Sequence, residues 1–293
     1  MTGKLTIKRK SLQNCLWYVT VILVSITTVL PFVWTISTSL KTGSEILSGG
    51  MNFIPETFTL DNYAEVFNKM PFMTYLKNSL IVSLGGVVTN LFFGSLAGYA
   101  FAKLEFRGKK IIYIIFLMTM MIPSIVTMIP NFMVLRGFPL AGGNDITGQG
   151  GLGLINSYWS ILLPGAAGAL AIFFMRQFYE QLPDSLYEAA RIDGASEFQI
   201  FMKVYFPLTF APMATLGIMT FQARWNQFMW PLIVMNSEKM KTVQVGLAAF
   251  KYDFTTDFGP LMAGTIVSMI PSILLFMFAQ KYYVQGIAES GIK

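Results

Sequence analysis

The chain has 293 residues, of which 54% are hydrophobic, 15% are aromatic and only 12% are charged, with a net charge of +6. An average soluble domain carries about 25% charged residues, so this composition excludes an ordinary water-soluble enzyme. Histidine is absent, which removes the commonest general base. Cys15 is the lone cysteine, so an internal disulfide is excluded and the sequence does not indicate whether the compartment is oxidising or reducing.

Six apolar stretches are long enough to cross a bilayer, which takes roughly 20 helical residues. They predict membrane-spanning helices at residues 16–37, 78–102, 111–130, 157–175, 204–221 and 259–279. None of these stretches contains Asp, Glu, Lys or Arg. Any solute contacts are therefore expected from aromatic, amide and hydroxyl groups. The pattern predicts a single all-α membrane domain over residues 1–293.

The distribution of Lys and Arg predicts the orientation, because short cytoplasmic loops carry an excess of these residues. The first stretch runs too long for a secretory signal and lacks an A-x-A cleavage site, so we expect an uncleaved span. With both termini inside, thirteen of the 21 basic residues lie in cytoplasmic segments and eight lie outside. The predicted outer loops are residues 38–77, 131–156 and 222–258.

The sequence offers little direct chemistry of its own. Residues 148–153 match G-x-G-x-x-G, but the strand, helix and acidic residue of a dinucleotide site are missing, so the segment is interpreted as a loop. A phosphate-binding G-x-x-x-x-G-K-[ST] motif is also absent from the sequence. If nucleotide hydrolysis drives this protein, another chain performs it. We predict no enzyme activity here.

Residues 182–207 predict a paired-helix element between two spans. Ser185 with Glu188, and Ser196 with Gln199, have the spacing of capping boxes. Gly194 lies between them and can adopt a left-handed conformation. We therefore predict two short helices, at residues 185–193 and 196–204, that meet at a glycine elbow.

The faces of this element leave two interpretations open. One is an amphipathic helix lying on the lipid surface, which favours a basic polar face. The other is a docking element for a partner protein. The apolar positions form one helical stripe, made of Phe198, Phe201, Met202 and Tyr205. The polar positions are mostly acidic, namely Asp184, Glu188, Asp193 and Glu197, which suits a protein partner better than anionic lipid.

The same segment resembles the EAA loop of binding-protein-dependent ABC importers. It reads EAARIDG at 188–194 and, nine residues later, VYFP at 204–207, with Val204 and Phe206 where the family has Ile and Leu. The resemblance implies that loop 176–203 is a coupling helix that docks into an ATPase subunit, with Gly194 as its tight turn and Glu188 as a polar anchor. The implied coupling residues are Glu188, Ala189, Ala190, Asp193, Gly194, Ala195 and Ser196.

Three further blocks resemble carbohydrate-importer permeases of the maltose type. They are FQARWNQFMWPLI at 221–233 with TVQVGL at 242–247, the segment from 78 to 109, and the ending at 285–293. The chain resembles the second permease subunit of such systems, and also the corresponding subunit of a bacterial alginate-oligosaccharide importer. The resemblance implies a type I ABC importer permease fold of six transmembrane helices in the bacterial inner membrane.

The resemblance also implies partners and contact sites. The partners are a homologous second permease, two ATP-binding subunits and a periplasmic sugar-binding protein. This chain needs no cofactor, since ATP and Mg²⁺ are bound by the partner subunits. In the outer loop, Phe250, Tyr252 and Phe254 are predicted to contact the binding protein, although a loop packed on its own span ends would carry the same aromatics.

Three further residues are predicted to line the pathway: Asn90, Trp225 and Asn226. Each also has a structural interpretation, since Trp225 suits an interfacial aromatic belt and Asn90 an interhelical hydrogen bond. Two other functions stay open: a sodium-coupled secondary transporter, and a membrane scaffold that moves no solute.

Overall fold

The structure, a computed structural model, describes the backbone of residues 2–50, 52–251 and 257–291, and side chains from residue 14 to residue 280 within those ranges. Its regular elements there are helical, which confirms the predicted all-α class. They are α1 (Thr2–Ser39), α2 (Gly43–Leu47), α3 (Asp61–Lys69), α4 (Phe72–Lys103), α5 (Lys109–Thr119), α6 (Ser124–Arg136), α7 (Trp159–Leu162), α8 (Ala169–Gln181), α9 (Ser185–Ile192), α10 (Glu197–Ile200), a π-helical turn (Phe201–Tyr205), α11 (Phe206–Leu208), α12 (Phe210–Trp225), α13 (Met229–Val234), α14 (Val243–Ala248) and α15 (Phe258–Gly291).

Five of the six predicted spans have helical counterparts in the described residues. Three are continuous: Asn14–Ser39 within α1, all of α4, and Phe258–Gln280 within α15. Two are bent pairs, α5 with α6 at 105°, and Glu197–Leu208 with α12 at 82°. Pro123 precedes α6, and the residue before a proline disfavours helical backbone, which explains the first bend.

Two expectations about the spans are wrong. Residues 157–175 do not form one helix, because α7 ends at Leu162 and α8 begins only at Ala169, with Pro164 and Gly165 in the break. In addition, α12 continues past the predicted boundary at residue 221 to Trp225. A charged residue, Arg224, therefore lies within the helix.

The chain groups into two compact units, Met1–Met70 with Ala249–Met269, and Pro71–Ala248 with Ile270–Lys293. In the first unit, α3 is fixed to the end of α1. The amide of Asn62 donates hydrogen bonds to the carbonyls of Ser39 (2.9 Å) and Lys41 (2.8 Å). Lys41 is buried, bonds the Asn52 carbonyl and lies 5.0 Å from the ring of Trp34. The single domain over residues 1–293 stays a prediction.

In the second unit, α4 packs mainly against α8 and α12. Glycines make the first contact close: a Cβ on Gly94 would lie 2.7 Å from the Cβ of Ala171, and one on Gly98 would lie 2.9 Å from the Cβ of Met175. Small residues let membrane helices approach in this way. Because lipid is as apolar as the helix surfaces, the helices associate through close van der Waals packing rather than through the hydrophobic effect.

The N-terminal part of α4 is fixed to the segment that precedes α14. The amide of Asn78 donates to the carbonyls of Lys239 and Lys241, both at 2.9 Å. The hydroxyl of Ser79 accepts the Val243 N–H at 2.8 Å. These bonds satisfy two carbonyls of the irregular segment and the first N–H of α14, so α4 holds both in place.

Candidate functional site

The elbow, residues 182–200, is closed by a left-handed glycine. Gly194 has φ of +77°, as its predicted role requires. The Ala195 N–H donates to the Ala190 carbonyl at 3.1 Å, and the Gly194 N–H donates to the Arg191 carbonyl at 3.0 Å. This pair of bonds is the Schellman motif, which ends α9 and satisfies its free carbonyls.

One of the two predicted capping boxes is confirmed. The Ser196 hydroxyl accepts the Gln199 N–H at 3.4 Å, and the Gln199 side chain accepts the Ser196 N–H at 2.9 Å. The predicted box of Ser185 and Glu188 is wrong, because α9 is capped at Asp184, one residue earlier, with no side-chain cap bond. The Asp184 carboxylate is bound by a distant residue instead.

That residue is Lys103, which ends α4 and has a side chain only 5% exposed. Its ammonium donates to the Leu182 carbonyl and to the Asp184 carboxylate, both at 2.6 Å. The hydrogen bond and the charge of Lys103 hold the pKa of Asp184 below its ordinary value, so the carboxylate is ionised and paired at neutral pH. The elbow is thus attached to the end of a spanning helix.

An aromatic cluster supports the segment that follows the elbow. Tyr99 of α4 and Tyr179 of α8 pack on Phe201 and Tyr205, with ring centroids 5.1–6.1 Å apart. All four side chains are buried. The predicted stripe is correct for Phe201 and Tyr205, which are buried, but Phe198 is 55% exposed, so the buried part of the stripe begins only at Phe201.

The tip of the elbow protrudes and combines apolar with acidic groups. Two apolar side chains are exposed here, Ile192 at 86% and Phe198 at 55%. The predicted coupling residues lie together here: Glu188, Ala189, Asp193, Gly194 and Ser196 are exposed, and Ala190 and Ala195 are half-buried. A protruding surface with apolar side chains and carboxylates is typical of a contact for another protein.

The acidic face is smaller than the sequence predicts. Asp184 is paired with Lys103, and Glu197 accepts hydrogen bonds from Tyr99 (3.3 Å) and Tyr187 (2.7 Å). The second of these bonds raises the pKa of Tyr187. Glu188 is exposed and makes no ion pair with any described residue. Only part of the carboxylate set is therefore available to a partner.

The three predicted pathway residues have different surroundings. Asn90 donates to the Thr220 hydroxyl (3.1 Å) and accepts the Gly168 N–H (3.0 Å), so its amide links α4, α8 and α12. Trp225 is buried and stacks on Phe221 with ring centroids 5.6 Å apart. Asn226 is exposed and lines a cavity of about 520 Å³.

The predicted binding-protein contact lies only partly in the described residues. Phe250 is 1% exposed, so its ring is buried in this structure. Tyr252 and Phe254 lie outside the described residues.

Residues 90–289 match the model of a known family, the binding-protein-dependent transport system inner membrane component. The chain belongs to this family. The permease is 32% identical to the arabinooligosaccharides transport system permease protein AraQ of Halalkalibacterium halodurans, over 98% of this chain and 99% of the relative. It is 31% identical to the lactose transport system permease protein LacG of Rhizobium radiobacter, again over 98% and 99%.

A solved structure gives the same fold. It is a bacterial ABC transporter involved in the import of the acidic polysaccharide alginate, with a TM-score of 0.80 and 26% identity, over 94% of this permease and 98% of that chain. The predicted resemblance to carbohydrate ABC importer permeases is thus confirmed, and with it the ABC importer permease fold.

Two residues of the structure, Lys103 and Arg224, are not predicted as functional residues from the sequence. Lys103 follows the second apolar stretch directly and adds only a basic charge to the cytoplasmic side, and its bonds to Leu182 and Asp184 have no signal in the sequence. The sequence places Arg224 in the predicted outer loop 222–258, because the apolar stretch ends at residue 221 whereas α12 continues to Trp225.

Proposed function

We propose that this permease forms half of the translocation pathway of an ATP-driven, binding-protein-dependent importer of sugars or oligosaccharides. The observation that carries the proposal is the protruding elbow, closed by left-handed Gly194 and bonded to α4 through Lys103. A rigid exposed element of this kind can pass a displacement to a spanning helix. The sugar-permease relatives support the substrate class.

The proposed complex contains a homologous second permease, two ATP-binding subunits that hold ATP and Mg²⁺, and a periplasmic sugar-binding protein. The sequence has no phosphate-binding loop, which supports hydrolysis on a separate chain. The elbow residues from Glu188 to Ser196 dock on an ATP-binding subunit, and the loop that holds Tyr252 and Phe254 faces the binding protein. Movement of the elbow switches the pathway between inward-facing and outward-facing states.

The function is tested by reconstituting the complete complex in liposomes. We expect uptake of a labelled oligosaccharide to require both ATP inside and binding protein outside, and to be unaffected when the sodium gradient is collapsed. A matched liposome without ATP controls for leakage. Uptake that follows the sodium gradient without ATP would establish the secondary transporter instead, and binding of the partners with no uptake of any sugar would establish a scaffold.

The proposed location is the bacterial inner membrane with both termini in the cytoplasm. In a Cys15→Ser background, we expect a membrane-impermeant thiol reagent added from outside to label Ile146→Cys, whose side chain is 77% exposed. The same reagent should label Arg107→Cys, also an exposed position, only after the membrane is opened. Labelling of the second variant in intact cells would contradict the orientation.

A further inference from the structure

Arg224 occupies a position built around its guanidinium group. It lies in the last turn of α12. A Cβ on Gly165 would lie 1.4 Å from its Nη2 atom, and one on Gly86 would lie 3.1 Å from its Cγ atom. Any side chain at Gly165 would therefore displace the guanidinium. The break between α7 and α8 thus makes room for a cation within the second unit.

This cation has no carboxylate partner in the described part of the chain. Its one side-chain hydrogen bond there runs from Nη1 to the Gln227 amide oxygen at 3.5 Å, the outer limit for such a bond. None of the described ion pairs includes Arg224. Charged side chains within spans are costly and are normally paired or placed at a pathway. The unpaired guanidinium thus points to an anion from elsewhere.

Arg224 lines a cavity of about 510 Å³, within the range of small-molecule sites. The cavity is bounded by the start of α6, the break at Gly165, the end of α12 and the start of α13. Its wall carries hydroxyl and amide groups and an aromatic ring, contributed by Ser124, Thr127, Asn131, Gln227 and Trp230. None of the described residues that line the cavity carries a carboxylate, so no described group in the wall cancels the positive charge.

Two features of the wall suit a sugar that carries an acid group. The indole N–H of Trp230 donates to the Ser160 carbonyl at 3.0 Å, which fixes the ring as a surface against which a pyranose can stack. Ser124 and Thr127 lie in the first turn of the 13-residue α6 and add two hydroxyl groups to the wall, at a helix end that favours negative charge. A neutral sugar needs the ring and the amides but not the guanidinium.

We propose that this cavity is a subsite for the carboxylate of an acidic sugar, a uronate unit of an oligosaccharide, with Arg224 as its charged ligand. The guanidinium can bind a carboxylate through two parallel hydrogen bonds, which lysine and glutamine cannot reproduce. The proposal rests on the proposed function, because it names the substrate class of the same pathway.

The test compares uptake of two trisaccharides of equal length, one neutral and one with a terminal uronate, by the reconstituted complex. We expect Arg224→Gln to lower the ratio of acidic to neutral uptake at least tenfold, and Arg224→Lys to restore it only in part. Arg136→Gln is the matched control, because it removes an exposed arginine at the end of α6 and should leave the ratio unchanged.

Ligand binding can also be measured directly on the wild type, without a variant complex, from its melting temperature. D-glucuronate should raise the melting temperature of the wild-type permease in detergent, and D-glucose at the same concentration should not.

Three results would overturn the subsite. The first is ATP-driven uptake of the neutral but not the acidic trisaccharide by the wild type. The second is an equal decrease in the uptake of both trisaccharides by the Arg224→Gln complex. The third is loss of the second permease from the purified Arg224→Gln complex. The last would assign the guanidinium to a carboxylate of that subunit. Failure of the proposed function is distinct, since the wild type would then import neither sugar with ATP.

Discussion

Replacing Gly194 with valine should reduce sugar uptake more than tenfold while the permease still folds and inserts. Nothing lies within 4 Å of a Cβ built on Gly194, so the substitution causes no clash within the chain. The cost is backbone strain, about 1–3 kcal/mol for a β-branched residue at a φ of +77°. Relaxation of that strain breaks the Schellman bonds and reorients the tip. ATP-driven uptake per mole of purified complex measures the effect.

Two controls separate this prediction from a general effect of strain. Gly108 is also exposed and left-handed, with φ of +84°, but lies outside the elbow; Gly108→Val should keep uptake per folded molecule. Gly194→Asn keeps the left-handed backbone, which asparagine tolerates, and should retain more uptake than the valine variant. Near-normal uptake by Gly194→Val, with no crosslink from Ala195→Cys to an ATP-binding subunit, would mean that the elbow only rests on lipid.

Replacing Gly98 with alanine should strongly destabilise the permease. The added methyl group would lie 2.9 Å from the Cβ of Met175 and 3.0 Å from the backbone nitrogen of Arg176. Backbone cannot move aside as a flexible side chain can, so α4 and α8 must separate. Overpacking of this kind costs about 1–3 kcal/mol. We expect a lower yield of folded protein and a lower melting temperature in detergent.

Gly217 provides the matched control for this substitution. It is also a helical glycine in the second unit, but a Cβ there would meet Leu91 at 3.5 Å and Val87 at 3.6 Å, which is ordinary contact. Gly217→Ala should be neutral or slightly stabilising, because alanine is favoured over glycine in helices by about 1 kcal/mol. Equal melting temperatures for the two alanine variants would contradict the close approach of α4 and α8.

Composition and apolar run length predict most of this fold, because the bilayer leaves the backbone few alternatives. The three continuous spans and the two bent pairs follow from those runs. The break between α7 and α8 does not, although Pro164 and Gly165 stand in the sequence. Prolines are tolerated within membrane helices, so the residues alone do not tell a break from a continuous span.

The elbow shows where local sequence is sufficient and where it is not. The box of Ser196 and Gln199 is predictable, because both bonds join residues three positions apart. The box of Ser185 and Glu188 has the same spacing and fails, because Lys103, 81 positions before Asp184, binds the start of α9. Long-range contacts of this kind have no signal in one sequence.

The two ends of α4 have a mechanical consequence. The helix has 32 residues, so it is about 48 Å long at about 1.5 Å per residue. Asn78 near one end holds the carbonyls of Lys239 and Lys241, and Lys103 at the other end holds the Leu182 carbonyl. One unbroken strut therefore joins two irregular segments. A tilt of this helix moves both segments together, so a displacement of one segment reaches the other through the helix itself and not through a chain of side-chain contacts.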